Sequence, residues 1–207
     1  MEDVLEVYKR PYNPAYPVIC LDETNRQLIE ETKVPIPAEP GKPQKMDYEY
    51  RRKGVVNIFM TFEPLQAKRQ VTINRNRTRI DFAHCIKKIV DIDYPEAEKI
   101  VLVMDNLNTH KLGSLYEAFP PEEARRIAEK LEIHYTPKHG SWLNMAEIEI
   151  GVMAKQCLSR YIPSMEQMEK EATTWASNRN LAGGTVNWHF ATADARIKLK
   201  RLYPQID

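Results

Sequence analysis

The chain has 207 residues, 43% hydrophobic and 29% charged, with a formal net charge of +1. These values suit one sizeable core with an appended subdomain and exclude a mainly disordered protein. No apolar stretch approaches the roughly 20 residues that span a bilayer, and the start Met1-Glu2-Asp3 lacks the basic and apolar regions of a signal peptide, so a cytoplasmic protein is expected. Cys20, Cys85 and Cys157, odd in number and far apart, fit neither a disulfide framework nor a zinc ribbon and are expected as buried thiols.

The small net charge conceals an asymmetry. Residues 51–90 hold ten Lys or Arg against Glu63 and Asp81, whereas residues 91–135 hold ten acids against five bases. The basic block either contacts phosphates or solvates strand edges and a helix face.

In chain order, the apolar run Val18-Ile19-Cys20-Leu21 predicts a first strand over Pro17 to Asp22, covered on both faces. A polar segment with Pro35, Pro37, Pro40, Gly41 and Pro43 follows and cannot be a regular helix or central strand. Val55 to Phe62 and Arg69 to Ile73 predict two strands joined through Glu63-Pro64, and Arg79 to Ile92 has helical spacing. A strand from Ile100 to Asp105, a helix from Pro121 to Leu131 and a strand from Glu132 to Tyr135 come next. A helix is predicted from about Trp142 to Leu158 with Ser141 as N-cap. Met165, Met168, Ala172, Trp175 and Ala176 mark another helix, and Thr192 is expected to cap a last one carrying Arg196, Lys198, Lys200 and Arg201. Three strands followed by alternating strands and helices predict an α/β protein, a mixed five-stranded sheet flanked by helices.

Two predicted strands end in a carboxylate, Asp22 and Asp105, and Glu147 lies on the helix after Ser141-Trp142-Leu143-Asn144. A carboxylate at the edge of a core is costly unless paired, hydrogen-bonded or bound to a metal. Two unit charges about 4 Å apart repel by about 4 kcal/mol at an effective dielectric near 20, so three converging carboxylates favour raised pKa values or divalent cations. Oxygen-only ligands favour Mg²⁺ or Mn²⁺, and two such ions suit in-line phosphoryl transfer without a protein nucleophile. Glu149 competes with Glu147, but it lies about 200° round the helix, so the two cannot serve one site from the same face.

The runs Val18-Ile19-Cys20-Leu21-Asp22-Glu23-Thr24, Met104-Asp105-Asn106 with His110, and Ser141-Trp142-Leu143-Asn144 with Glu147 resemble the DDE transposases. More narrowly, they resemble the bacterial insertion-sequence transposases of the six-thirty type, relatives of the mariner elements. The ending Asp194-Ala195-Arg196-Ile197-Lys198-Leu199-Lys200-Arg201-Leu202-Tyr203-Pro204 is similar to that group's. The resemblance implies an RNase H-like fold over residues 1–160 with a C-terminal helical extension over 161–207. It also implies metal ligation by Asp22, Asp105 and Glu147, with Asn106, His110 and Asn144 in supporting positions. The implied activity is cleavage at transposon ends, dependent on Mg²⁺ or Mn²⁺, and attack of the freed 3′ hydroxyl on target DNA by a homodimer. Residues 23–53 correspond in position to the family's clamp loop. The separation from Asp105 to Glu147, 42 positions, exceeds the usual one, and the predicted helix Pro121 to Leu131 accommodates the excess. Asp22 follows Met1 too closely to leave room for the family's helix-turn-helix region, so a catalytic domain, a truncated copy or one product of a split reading frame is expected.

The DNA-binding residues expected are Arg51, Arg52, Lys53, Lys68, Arg69, Arg75, Arg77 and Arg79. His110 has two readings, orienting the Asp105 region or serving as a satisfied structural histidine. Trp142 and Trp188 either stack on extruded bases or belong to the core. His134, His139 and His189 show no metal-ligand spacing.

Overall fold

The computed structural model describes residues 1–33, 38–42, 49–138, 140–186 and 188–203. Its centre is a five-stranded sheet in the order β3-β2-β1-β4-β5. Strands β1 (Val18–Glu31), β2 (Tyr50–Glu63) and β3 (Lys68–Asn74) are antiparallel neighbours. β4 (Ile100–Met104) runs parallel to β1, and β5 (Leu131–Tyr135) parallel to β4.

Successive strand residues face opposite sides, which divides the apolar residues into two cores. Cys20, Ile58, Met60, Phe62, Val101 and Val103 pack under α1 (Glu2–Val7), α5 (Met145–Gln156), α6 (Met165–Leu181) and α7 (Thr192–Lys198). Ile19, Leu21, Phe59, Ile100, Leu102 and Met104 pack under α2 (Arg79–Lys88), α3 (Gly113–Ala118) and α4 (Pro121–Glu129). β4 is buried along its whole length because both faces are covered. Helix starts follow local chemistry: Thr78 and Asp81 form a capping box on α2, and Pro121 opens α4. α6 and α7 add Met168, Ala172, Trp175 and Ala195 to the first core, so the C-terminal segment shares it.

Several boundaries differ from the sequence reading. The first strand does not stop at Asp22; it runs to Glu31, and β2 begins at Tyr50, so the two ends of the expected polar loop form a two-stranded ribbon. Cross-strand pairing outweighs the polar composition, and the prolines lie beyond Glu31. Pro40 sits in a turn between paired Glu39 and Lys42, while Pro35, Pro37 and Pro43 fall outside the described residues. The ribbon carries a bulge between Gln27 and Ile29 opposite Gly54, whose φ of 110° favours glycine. Its outer half, Tyr50 to Val55, is exposed and is braced by the Ile29 N–H donating to the Ile162 carbonyl at 2.9 Å. Two helices, α3 and α4, occupy the long stretch between Asp105 and Glu147, and α1 was not anticipated. The helix expected from Trp142 is a short 3₁₀ turn, Ser141–Leu143, followed by α5. Its N-cap is Asn144 rather than Ser141, because the Asn144 side chain accepts from the Ala146 N–H at 3.1 Å. Among the described residues, no helix is long and apolar enough to cross a membrane.

Candidate active site

β1 and β4 lie side by side with Cys20 opposite Val103, and Asp22 and Asp105 each stand two residues further on. The parallel register therefore brings both carboxylates to one level on adjoining strands. Glu147 reaches the same place through α5, which packs on β1 and β2. Asn144, fully buried, fixes that approach: its Nδ2 donates to the Leu21 carbonyl at 2.8 Å while its Oδ1 caps α5. Tyr8 assists from α1 by donating to the Leu143 carbonyl at 2.6 Å.

The charges of Asp105 and Glu147 both act on Asp22. Burial pushes the Asp22 carboxyl up to about 6; the Glu23 N–H opposes this at 2.7 Å, and the charges of Asp105 and Glu147 add to it. Glu147 itself is exposed. Among the described residues, no three His, Cys, Asp or Glu side chains stand ready-made around one point, so the expected convergence is a shared field rather than a closed ligand set. Asp105 has a hydrogen-bonded partner of its own.

Its holder is His110, whose Nδ1 is hydrogen-bonded to Asp105 Oδ1 and whose Nε2 lies 3.3 Å from Glu23 Oε2. The ring stacks on Phe82 at 4.7 Å, and the His110 carbonyl accepts from the Tyr135 hydroxyl at 2.9 Å. Burial disfavours the imidazolium, but hydrogen bonds to Asp105 and Glu23 outweigh it and lift the pKa to about 9. His110 is thus a buried partner that orders the Asp105 region; Asn106 beside it is exposed.

Glu149 has a separate task. It is fully buried and takes Arg69 Nε at 2.6 Å, Arg69 Nη2 at 3.2 Å, Arg179 Nε at 2.6 Å and Arg179 Nη2 at 2.9 Å. This corrects one expected DNA contact. Arg69 is 2% exposed; besides Glu149 it donates to the Ala67 carbonyl at 2.7 Å and to the Gly184 carbonyl, so it cannot meet a phosphate. Strand alternation with Val71 and Ile73 carried that signal, since both belong to the first core. Arg179 has no distinguishing sequence signal.

Arg51, Arg52 and Lys53 are exposed on the ribbon, and Arg75, Arg77 and Arg79 at the β3–α2 junction. Of these, Lys53 pairs with Glu30 at 3.2 Å, Arg77 with Glu23 at 3.5 Å and Arg79 with Glu117 at 2.5 Å. Lys68 is exposed and lies over the Tyr94 ring at 4.7 Å. Trp142 and Trp188 stack on each other with centroids 6.4 Å apart. His134 sits between Asp3 and Glu132, and His139 lies outside the described residues.

The chain matches the DDE superfamily endonuclease family over residues 17–169, a span that contains Asp22, Asp105 and Glu147. It belongs to that family. The fold of this DDE superfamily member is similar to the Mos1 mariner paired-end complex with Mn, at 13% identity and a TM-score of 0.58, covering 87% of this chain and 54% of that one. It is also similar to the Mos1 transposase paired-end complex with left transposon end, at 12% identity and a TM-score of 0.58, covering 88% and 56%. The sheet order and flanking helices are those of an RNase H-like fold, and the chain spans about half the length of the Mos1 chains. No curated protein matches it in sequence.

Proposed function

We propose that this DDE superfamily endonuclease is the catalytic domain of a transposase of the insertion-sequence group related to mariner elements. On this reading it cleaves DNA at transposon ends and joins them to target DNA, acting as a homodimer on the DNA. The observation that carries the reading is the parallel register of β1 and β4, in which Asp22 and Asp105 each follow the paired Cys20 and Val103 by two residues. Family membership and the fold shared with Mos1 transposase complexes support it.

A donor set made of carboxylate oxygens alone fits Mg²⁺ or Mn²⁺, and Asp22, Asp105 and Glu147 would hold the ions. When bound, two such ions activate the attacking water or 3′ hydroxyl and offset charge on the leaving oxygen. Asp22 supplies an ionised carboxylate above pH about 6, and His110 keeps Asp105 at the end of β4. Asn144 holds Glu147 near β1. The exposed Arg51, Arg52, Lys53, Lys68, Arg75, Arg77 and Arg79 bind backbone phosphates, which position DNA without reading its sequence.

The test is cleavage of a pre-nicked duplex carrying the element's terminal inverted repeat, with Mg²⁺ or Mn²⁺. Strand joining is the expected result. Hydrolysis alone identifies an RNase H-like nuclease, and binding without reaction a DNA-binding regulator of transposition; either overturns the reading.

A further inference from the structure

Asp22 and Glu23 are consecutive on β1 and so point to opposite faces of the sheet. Asp22 follows Cys20 toward the face under α5, whereas Glu23 follows Ile19 and Leu21 toward the face under α2 and α3. There the Glu23 side chain is 6% exposed, with Arg77 at 3.5 Å and His110 Nε2 at 3.3 Å. The other nitrogen of His110 is bonded to Asp105. Phe82 stacks on the ring, and Tyr135 anchors its backbone. A chain of contacts thus runs from the exposed β3–α2 junction through Arg77, Glu23 and His110 to the Asp105 carboxylate just past the end of β4.

A carboxylate that must hold one position gains from a hydrogen-bonded partner that is itself oriented by a further group. His110 is that partner, and Glu23 is the group that orients it. Glu23 is too enclosed to serve as a ligand beside Asp22 and faces the wrong side of the strand.

We propose that Glu23 is a positioning residue of the phosphoryl-transfer site, holding the Asp105 carboxylate through His110 from the face of β1 opposite Asp22, with Arg77 linking this relay to the basic surface. The inference rests on the transposase reading for the reaction affected, though not for the relay itself.

The test compares wild type, Glu23→Gln, Glu23→Asp and His110→Gln, each as the full chain. For Glu23→Gln the single-turnover cleavage rate on the pre-nicked duplex falls about ten- to a hundredfold, while duplex affinity stays within about twofold. Mn²⁺ binding to the DNA-free protein, followed by calorimetry, weakens in parallel, and Glu23→Asp recovers part of both. Should Glu23→Gln fail to fold by circular dichroism, His110→Gln carries the same test from the other end of the relay. Wild-type cleavage rate and Mn²⁺ affinity in the variants would overturn the proposal, as would a loss confined to duplex affinity. If wild type cleaves nothing while Mn²⁺ binding still weakens in Glu23→Gln, the transposase reading fails and the relay stands.

Discussion

Replacing Glu149 by Gln would leave two guanidinium groups, one of them fully buried, facing a neutral amide. The native carboxylate takes four N–H donors from Arg69 and Arg179 and joins β3, α5 and α6. An amide oxygen can keep some of those bonds but none of the charge. Removing one partner of a buried ion pair costs about 3–5 kcal/mol, chiefly because the remaining charge is stranded. For a domain of this size that corresponds to a fall in Tm of about 6–20 °C. Burial alone would raise the Glu149 carboxyl, but the hydrogen bonds from Arg179 and Arg69 outweigh it and leave it below the usual range. A depressed carboxylate stabilises above its unfolded value, near 4.3, and that contribution is lost as pH falls through the folded value. Wild type should therefore lose part of its advantage over Glu149→Gln on acidification below about pH 4.3. Glu147→Gln supplies the contrast: on an exposed position it should change stability by no more than about 0.5 kcal/mol while abolishing cleavage. Chemical denaturation of both variants, with the cleavage assay beside it, decides the matter. A Glu149→Gln protein within about 1 kcal/mol of wild type, below the range for a broken buried pair, would refute the structural assignment, as would cleavage surviving in Glu147→Gln.

Asp22→Asn should abolish cleavage yet stabilise the ion-free protein at pH 7 by up to about 3 kcal/mol, since the folded-state carboxyl near 6 exceeds the unfolded value near 3.9. Wild-type stability then declines as pH rises from about 4 through 6, and thermal melts of the variant should lack that decline. Adding Mn²⁺ should raise the wild-type Tm but not that of Asp22→Asn; equal shifts would mean that the ion binds elsewhere. Replacing Arg75, Arg77 and Arg79 by Ala should flatten the salt dependence of duplex binding by up to about 0.9 log units per lost phosphate contact, and an unchanged slope would place the DNA path elsewhere. Asn144→Ala should cost about 2–4 kcal/mol through the lost cap and the unpaired Leu21 carbonyl, and should lower the cleavage rate; denaturation at wild-type concentrations would contradict the anchor.

Much of the sheet was legible because buried strands need unbroken apolar runs. Val18 to Leu21 and Ile100 to Met104 were recognisable as strands covered on both faces, and the chain-order pattern implied a mixed sheet with helices. The extent of β1 and β2 was not legible. The polar stretch from Glu23 to Glu31 is a strand because β2 pairs with it, and pairing is a property of two segments together. Asp22, Asp105 and Glu147 stood out as carboxylates at the edges of apolar runs. The helical period also separated Glu147 from Glu149.

The sequence by itself determined the composition of the sheet, the three carboxylates and the basic block, since each depends on local apolar runs or local charge. Tertiary structure alone decided which of those charges stay at the surface. Arg69 and Arg79 look alike along the chain, yet Arg69 meets Glu149 from α5 in the core while Arg79 is exposed at a helix start. The parallel register of β1 and β4 likewise set Asp22 and Asp105 side by side and brought Glu23 and His110, 87 positions apart, into contact. Coulomb energy and desolvation depend on distance and surroundings in space, so the folded chain fixes a group's task where separation along the sequence cannot.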